Sequence, residues 1–388
     1  MQSHIQRVIA CSAATFAATA GAASLDINPA FPAYGQEVSV QLLSVGPAPY
    51  LPATRYRRNG SNITLEIEHI AGGYFGWRTD MGYVPVSLGE LAPGRYTVQA
   101  KLFDIGNPDA PPYLFTQAVD VAAPDAAGVY AVPRTPGAYE SFELVVKADA
   151  AIDASSLHAT VSDTSIRVDF DYSADPSAAS FASVKVAGLR PVGYRAEAFG
   201  HVPNTAIPAR TFAGNVGIDS TTTVVEYYSP KLDHYVVSAW PDEIAALDAD
   251  PRAAFERTGE RFKAWLRATD APASAVPVCR FYASGPNSHF YTADPNECRF
   301  LKSLESKQRA DASAKGQSFR GWQFEAIAFY ATAPQDGSCP ANTRPVYRAY
   351  NNRAAEDDSN HRFTVTSAMR QAMTQSWSEE GVAFCSPL

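Results

Sequence analysis

SHFYTADPNEC (residues 288–298) decides how the second half of this chain is read. His289 stands ahead of an aromatic pair in a short strand pattern. Behind it, Asp294 can cap a helix, Pro295 suits the first helical position, and Glu297 can return a capping bond. Two other stretches follow the same order: NHRFTVTSAMR (360–370) and, more faintly, DHYVVSAWPDE (233–243).

Working outward, Val224, Val278 and Val346 share a place. So do Tyr228, Tyr282 and Tyr350, and so do His234, His289 and His361. The stretches also close alike, as FERTGERF (255–262), WQFEAIAF (322–329) and WSEEGVAF (377–384). Each unit reads β-β-α-β, with helices of about two to three turns. A unit this small cannot bury its own apolar face, but three can close on a shared core. A pseudo-threefold module over 224–388 is expected.

The chain has five cysteines: Cys11, Cys279, Cys298, Cys339 and Cys385. The last four fall within the module, an even number that suits disulfides in an exported chain. Of the three connectivities, Cys279–Cys298 and Cys339–Cys385 are favoured. The first ties a strand to the helix of one repeat, and the second clips the entrance of the last repeat to its exit.

Upstream the periodicity is that of strands. EVSVQLL (37–43), NITLEIE (62–68) and RYTVQAKLF (95–103) alternate, and so do SFELVVKA (141–148), IRVDFDY (166–172) and ASVKVAG (182–188). LAPGRYTVQAKLF (91–103) and LRPVGYRAEAFG (189–200) share Leu, Pro, Gly and Tyr ahead of a strand. That pattern resembles the late hairpin of immunoglobulin-like sandwiches, with the Tyr as corner residue. The expected fold is mainly β: immunoglobulin-like β-sandwiches at 26–122 and 129–217, then the repeat module at 224–388. The sandwiches read as spacers.

The first 22 residues carry one charged side chain, Arg7, then an Ala-rich apolar run and small residues. This is the layout of a signal peptide, so a secreted, extracellular or periplasmic protein is expected. About 365 residues would remain, enough for two or three domains. No later segment approaches ~18 unbroken apolar residues, so no transmembrane segment is expected. Net charge is −8 and no basic patch appears, which disfavours nucleic acid as a partner.

The order VVEYY…DHYVVSAWPDEIAALD, VCRFY…SHFYTADPNEC, GSCPANTRPVYRAYNNR, NHRFT and the closing Cys385-Ser386-Pro387 resembles a secreted repeat module of unknown function. That module is found at the C-termini of bacterial and fungal extracellular proteins. The resemblance implies a cell-surface or carbohydrate-binding attachment without an established reaction. Thr258 stands where Glu325 and Glu380 stand in the later repeats, so a site needing that carboxylate would be absent from the first.

Two readings of the repeated residues stay open. As ligand-binding candidates, His234, His289, His361, Tyr228, Tyr282, Tyr350, Trp322, Trp377, Arg280 and Arg348 would line shallow sugar pockets, with indoles stacking on sugar rings. As structure, the imidazoles would bond loops and strand ends, and the indoles would fill a core. Arg280 and Arg348 share a place with Glu226, which suits a salt-bridge position. Three histidines beside Asp233, Ser288 and Asn360 do not compose one catalytic triad. The run Glu356-Asp357-Asp358 lacks the ligand spacing of a calcium loop. No hydrolase, zinc or phosphate-loop signature occurs, so no enzyme, cofactor or metal is expected. The reading is an exported, non-catalytic binder of an extracellular ligand, glycan first. The alternatives are a structural or interaction protein of a surface assembly and, third, a hydrolase of unrecognised geometry. Oligomeric state is left open.

Overall fold

The computed structural model describes residues 24–43, 54–69, 85–104, 106–205, 209–252, 254–374 and 376–388. The segment read as a signal peptide (1–22) lies outside them.

The first unit has two layers. β1 (Ser24–Asn28), β2 (Glu37–Leu43) and β5 (Val86–Glu90) form one sheet, and β3 (Arg55–Asn59), β4 (Asn62–His69), β6 (Gly94–Asp104) and β7 (Tyr113–Val121) lie side by side in the other. Alternation puts Val38, Val40 and Leu42 of β2 into one core with Ile63, Leu65 and Ile67 of β4 and Val98, Ala100 and Leu102 of β6. Asn59 pairs with Asn62 across a tight hairpin, where Gly60 takes φ +58°, a conformation glycine adopts without strain.

The second unit repeats the plan. β8 (Gly128–Val132), β9 (Phe142–Lys147) and β12 (Phe181–Val186) face β10 (Ile152–Ser162), β11 (Ser165–Tyr172), β13 (Gly193–His201) and β14 (Arg210–Gly217) around a single core.

The immunoglobulin-like expectation is corrected by strand order. β4 runs parallel to β6 and β11 parallel to β13, whereas immunoglobulin sheets are antiparallel throughout. The apolar strands β4 and β11 take inner places. The largely exposed β10 lies at the edge of its sheet, whereas β3 is flanked on its other side by a strand of the chain beyond, Glu256–Ala264. The corner tyrosines do what the pattern implied. Tyr96 Oη donates to the Ala92 carbonyl at 2.8 Å, and Arg190 N donates to Tyr194 Oη at 3.2 Å.

The remaining chain folds three times in one order. The first repeat is β15 (Thr222–Ser229), β16 (His234–Ser238), α1 (Pro241–Ala249) and β17 (Glu256–Ala264). The second is β18 (Ala275–Ala283), β19 (Ser288–Thr292), α2 (Pro295–Ala314) and β20 (Trp322–Thr332). The third is β21 (Thr343–Tyr350), β22 (His361–Thr364), α3 (Ser367–Met373) and β23 (Ser378–Pro387). In each, the first strand lies between the second and the last. Val224 pairs with Phe262, Val278 with Phe329 and Val346 with Phe384. The three phenylalanines meet in a near-equilateral triangle, with ring centroids 5.8, 5.6 and 5.5 Å apart.

Disulfides Cys279–Cys298 and Cys339–Cys385 are formed. The helices depart from the expected short length at α2, which runs for 20 residues and buries only Cys298. Its last turns gain their hold elsewhere: Glu305 Oε2 accepts from Phe324 N, and Arg309 lies over Phe319.

The upstream units pack directly against the module. β17 pairs with β3 through Arg257 and Tyr56, joining the first repeat to the first unit's sheet. Arg55, 7 % exposed, binds Glu256 across that seam at 2.9 Å. Tyr34 Oη bonds the Ala131 carbonyl between units one and two, and Lys263 meets Asp219 between unit two and the module. No helix among the described residues is long and apolar enough to cross a membrane.

Candidate functional site

The residue two past each core valine reaches the preceding repeat. Arg280 binds Glu243 of α1 through Nη1 and Nη2 at 2.7 and 2.8 Å, and its own repeat's Glu325 at 2.8 Å. Arg348 makes the same arrangement one repeat later, with Glu297 of α2 at 3.1 Å and Glu380 at 2.8 Å. Burial opposes the charged forms, but the hydrogen bonds and charge of Arg280 hold the Glu243 carboxyl below its ordinary range. At the third interface the charges change places. Glu226 fills the arginine position, Thr258 donates to it at 2.7 Å, and Arg362 of β22 supplies the cation. The Thr258 departure is thus paired with a relocated arginine.

The three histidines do not share a structural place. Strand register puts His289 opposite Tyr282 and His361 opposite Tyr350, but Tyr235 opposite Tyr228. Tyr235 is therefore the equivalent of the two later histidines. His234 sits one residue earlier, with Ser288 and Asn360, and the three are 3, 2 and 0 % exposed. The His234 imidazole bridges the loops of the other two repeats: Nδ1 lies 3.1 Å from the Asn287 carbonyl and Nε2 2.6 Å from Asp358 Oδ1. His289 Nε2 accepts from Arg280 Nη2 at 2.9 Å. His361 stacks on Tyr350 at 4.9 Å, and burial followed by the Arg348 charge lowers its pKa to about 3.

The other candidates are similarly engaged. Tyr228 and Tyr282 donate to Asp233 and Asn287, and Tyr350 Oη meets Ser359 Oγ. Trp322 packs on Phe290 and Trp377 on Tyr235, both half-buried. Two of the three acids in the run are held by arginines, Asp357 by Arg320 and Asp358 by Arg353, and the His234 ring lies 2.6 Å from Asp358 Oδ1.

What the threefold plan leaves open is a space beside the interface arginine. At the first interface the Trp240 ring covers Arg280, 4.7 Å from its guanidinium carbon. At the third, the Thr364 and Thr366 hydroxyls close on Glu260. At the second, Asp294 stands in the Trp240 place, and a cleft of about 400 Å3 opens between the start of α2 and β23. The Arg348 side chain keeps 15 % exposure against 6 % for Arg280. Carboxylates of Asp294, Glu297 and Glu380, the Arg348 guanidinium and apolar Pro295 and Val382 line the cleft. Carboxylates fixed on a guanidinium still accept hydrogen bonds from ligand hydroxyls through their remaining lone pairs.

Asp294 and Glu297 were legible only as a helix start. Asp294 does cap, accepting from Asn296 N at 2.8 Å. Glu297 instead turns to Arg348, so the reciprocal capping bond is replaced by an interface ion pair. The Pro-x-Glu shared by 241–243 and 295–297 was the available signal for both interface glutamates.

Residues 227–387, which take in nearly all of the three repeats, match a family described as a domain of unknown function, DUF5648. No curated protein and no solved structure matches the chain.

Proposed function

We propose that this chain is a non-catalytic binding protein that works outside the cytoplasm and takes a saccharide in the cleft between the second and third repeats. One observation carries the reading. The first interface fills the helix-cap place with Trp240 and the third closes Thr366 on Glu260, while the second carries a small acid, Asp294, beside a polar hollow and a pre-oriented arginine. Hydroxyls of a sugar suit carboxylate acceptors and a guanidinium donor, and Pro295 and Val382 suit its apolar face. Two disulfides fit an oxidising compartment. The test is a glycan array probed with the full chain, followed by titration of the best ligand.

A structural role is the second reading. It is favoured by the fact that His234, Arg280 and the repeated tyrosines spend their polar atoms on neighbouring loops and repeats. A folded chain that binds no saccharide on the array supports that role instead.

A further inference from the structure

A second hollow lies where the second unit meets the module, far in sequence from the first and built from opposite charge. Its volume is about 510 Å3, and it is lined by Tyr139, Arg190 and Val192 of the second unit and by Arg267 and Asp270 from the turn joining the first two repeats. In a chain of net charge −8, two exposed arginines on one cleft would be expected to find carboxylate partners. Among the described residues neither Arg190 nor Arg267 makes an ion pair. Both are near enough to the Tyr139 hydroxyl to act on it electrostatically, so they converge on one space.

The floor of the hollow is unusual. Tyr139 is 8 % exposed and holds φ +67°, a left-handed conformation costly for a bulky side chain and found where a site must be held in place. It is fixed from both sides: its N–H donates to the Leu189 carbonyl, and Ala138 N donates to the Thr221 carbonyl, both at 2.8 Å. The Arg267 guanidinium lies on its ring, with 4.0 Å from guanidinium carbon to centroid. That contact leaves the N–H edges of the guanidinium free to meet a ligand. Beside them the Asp270 carboxylate faces the Tyr139 hydroxyl and its Oδ1 accepts from Thr269 Oγ1 at 3.3 Å, while the buried Oδ2 has no hydrogen bond of good geometry among the described residues and keeps lone pairs for a ligand donor.

We infer that this cleft binds a hydroxy-acid group, a carboxylate beside a hydroxyl as in a uronic acid. The carboxylate is held by Arg190 and Arg267, and a ligand hydroxyl donates to Asp270. Guanidinium forks match carboxylate oxygens in pairs, and the lone acceptor on Asp270 selects a ligand that brings its own donor. The site does not depend on the cleft between repeats two and three.

The test is calorimetric titration of the full chain with D-glucuronate, acetate, sulfate and D-glucose. Glucuronate is expected to bind saturably, more tightly than acetate or sulfate, and more weakly as salt is raised. Arg190→Ala removes an exposed, unpaired side chain without threatening the fold, and is expected to weaken glucuronate about tenfold or more. Asp270→Ala, which removes the acceptor, is expected to erase the preference over acetate. No saturable glucuronate binding up to about 20 mM, or equal affinity in Arg190→Ala, would overturn the site. Acetate and sulfate binding as tightly as glucuronate would overturn the hydroxy-acid assignment.

Discussion

Arg362 holds Glu226 through Nε and Nη2 at 3.0 and 2.8 Å, and both side chains are 1 % exposed. The pair seals the third repeat to the first with the charges of the other two interfaces reversed. Removing one partner strands a buried charge. Glu226→Ala or Arg362→Ala should therefore cost about 3–5 kcal/mol in urea denaturation. Glu226→Leu combined with Arg362→Met should cost less than either single change. Losses below about 1 kcal/mol in the single variants would mean that water reaches the pair.

Phe262, Phe329 and Phe384 predict a symmetry of energies. Each contacts the other two and is at most 3 % exposed. Each Phe→Ala change should cost about 3–5 kcal/mol, with similar values at the three positions. A loss confined to one position would show that the repeats do not share one centre.

His361 predicts acid sensitivity. Glu380 lies 3.5 Å from its Nε2 but is already held by Arg348 at 2.8 Å, so burial decides and the folded pKa falls to about 3. The unfolded chain takes up that proton near pH 6.5. The neutral imidazole therefore contributes fully above about pH 6.5, and its contribution is lost as pH falls toward the folded value. At pH 4 the loss should be about 3 kcal/mol. In His361→Phe the fall between pH 7 and pH 4 should be shallower by that amount. An unchanged slope in denaturation curves at the two pH values would refute the assignment.

The sequence was most legible where one residue type served one purpose three times. The valines and phenylalanines of the core are fully buried in every copy, so their spacing carried the module. The histidines misled because adjacent positions on a hairpin strand face different neighbours, and a one-residue shift is invisible to matching letters. Spacing held the clue: Leu247 lies 13 residues past His234, but Leu301 and Met373 lie 12 past theirs. The parallel pairs of the upstream sheets were not legible, because alternation shows which strands are inner but not which neighbour they choose. The cleft was hidden for another reason. It arises from a difference between copies, Trp240 against Asp294, and alignment by likeness passes over differences.

Asp294→Trp tests the account most directly, because it restores at the second interface the side chain found at the first. Asp294→Ser is its control, since serine keeps the helix cap, whose loss costs about 1 kcal/mol, and leaves the cleft open. With the saccharide selected on the array, calorimetric titration should show saturable binding to the wild type, binding within about tenfold of it for Asp294→Ser, and none for a folded Asp294→Trp. Undiminished binding by Asp294→Trp would contradict the claim that this cleft is where the module takes its ligand.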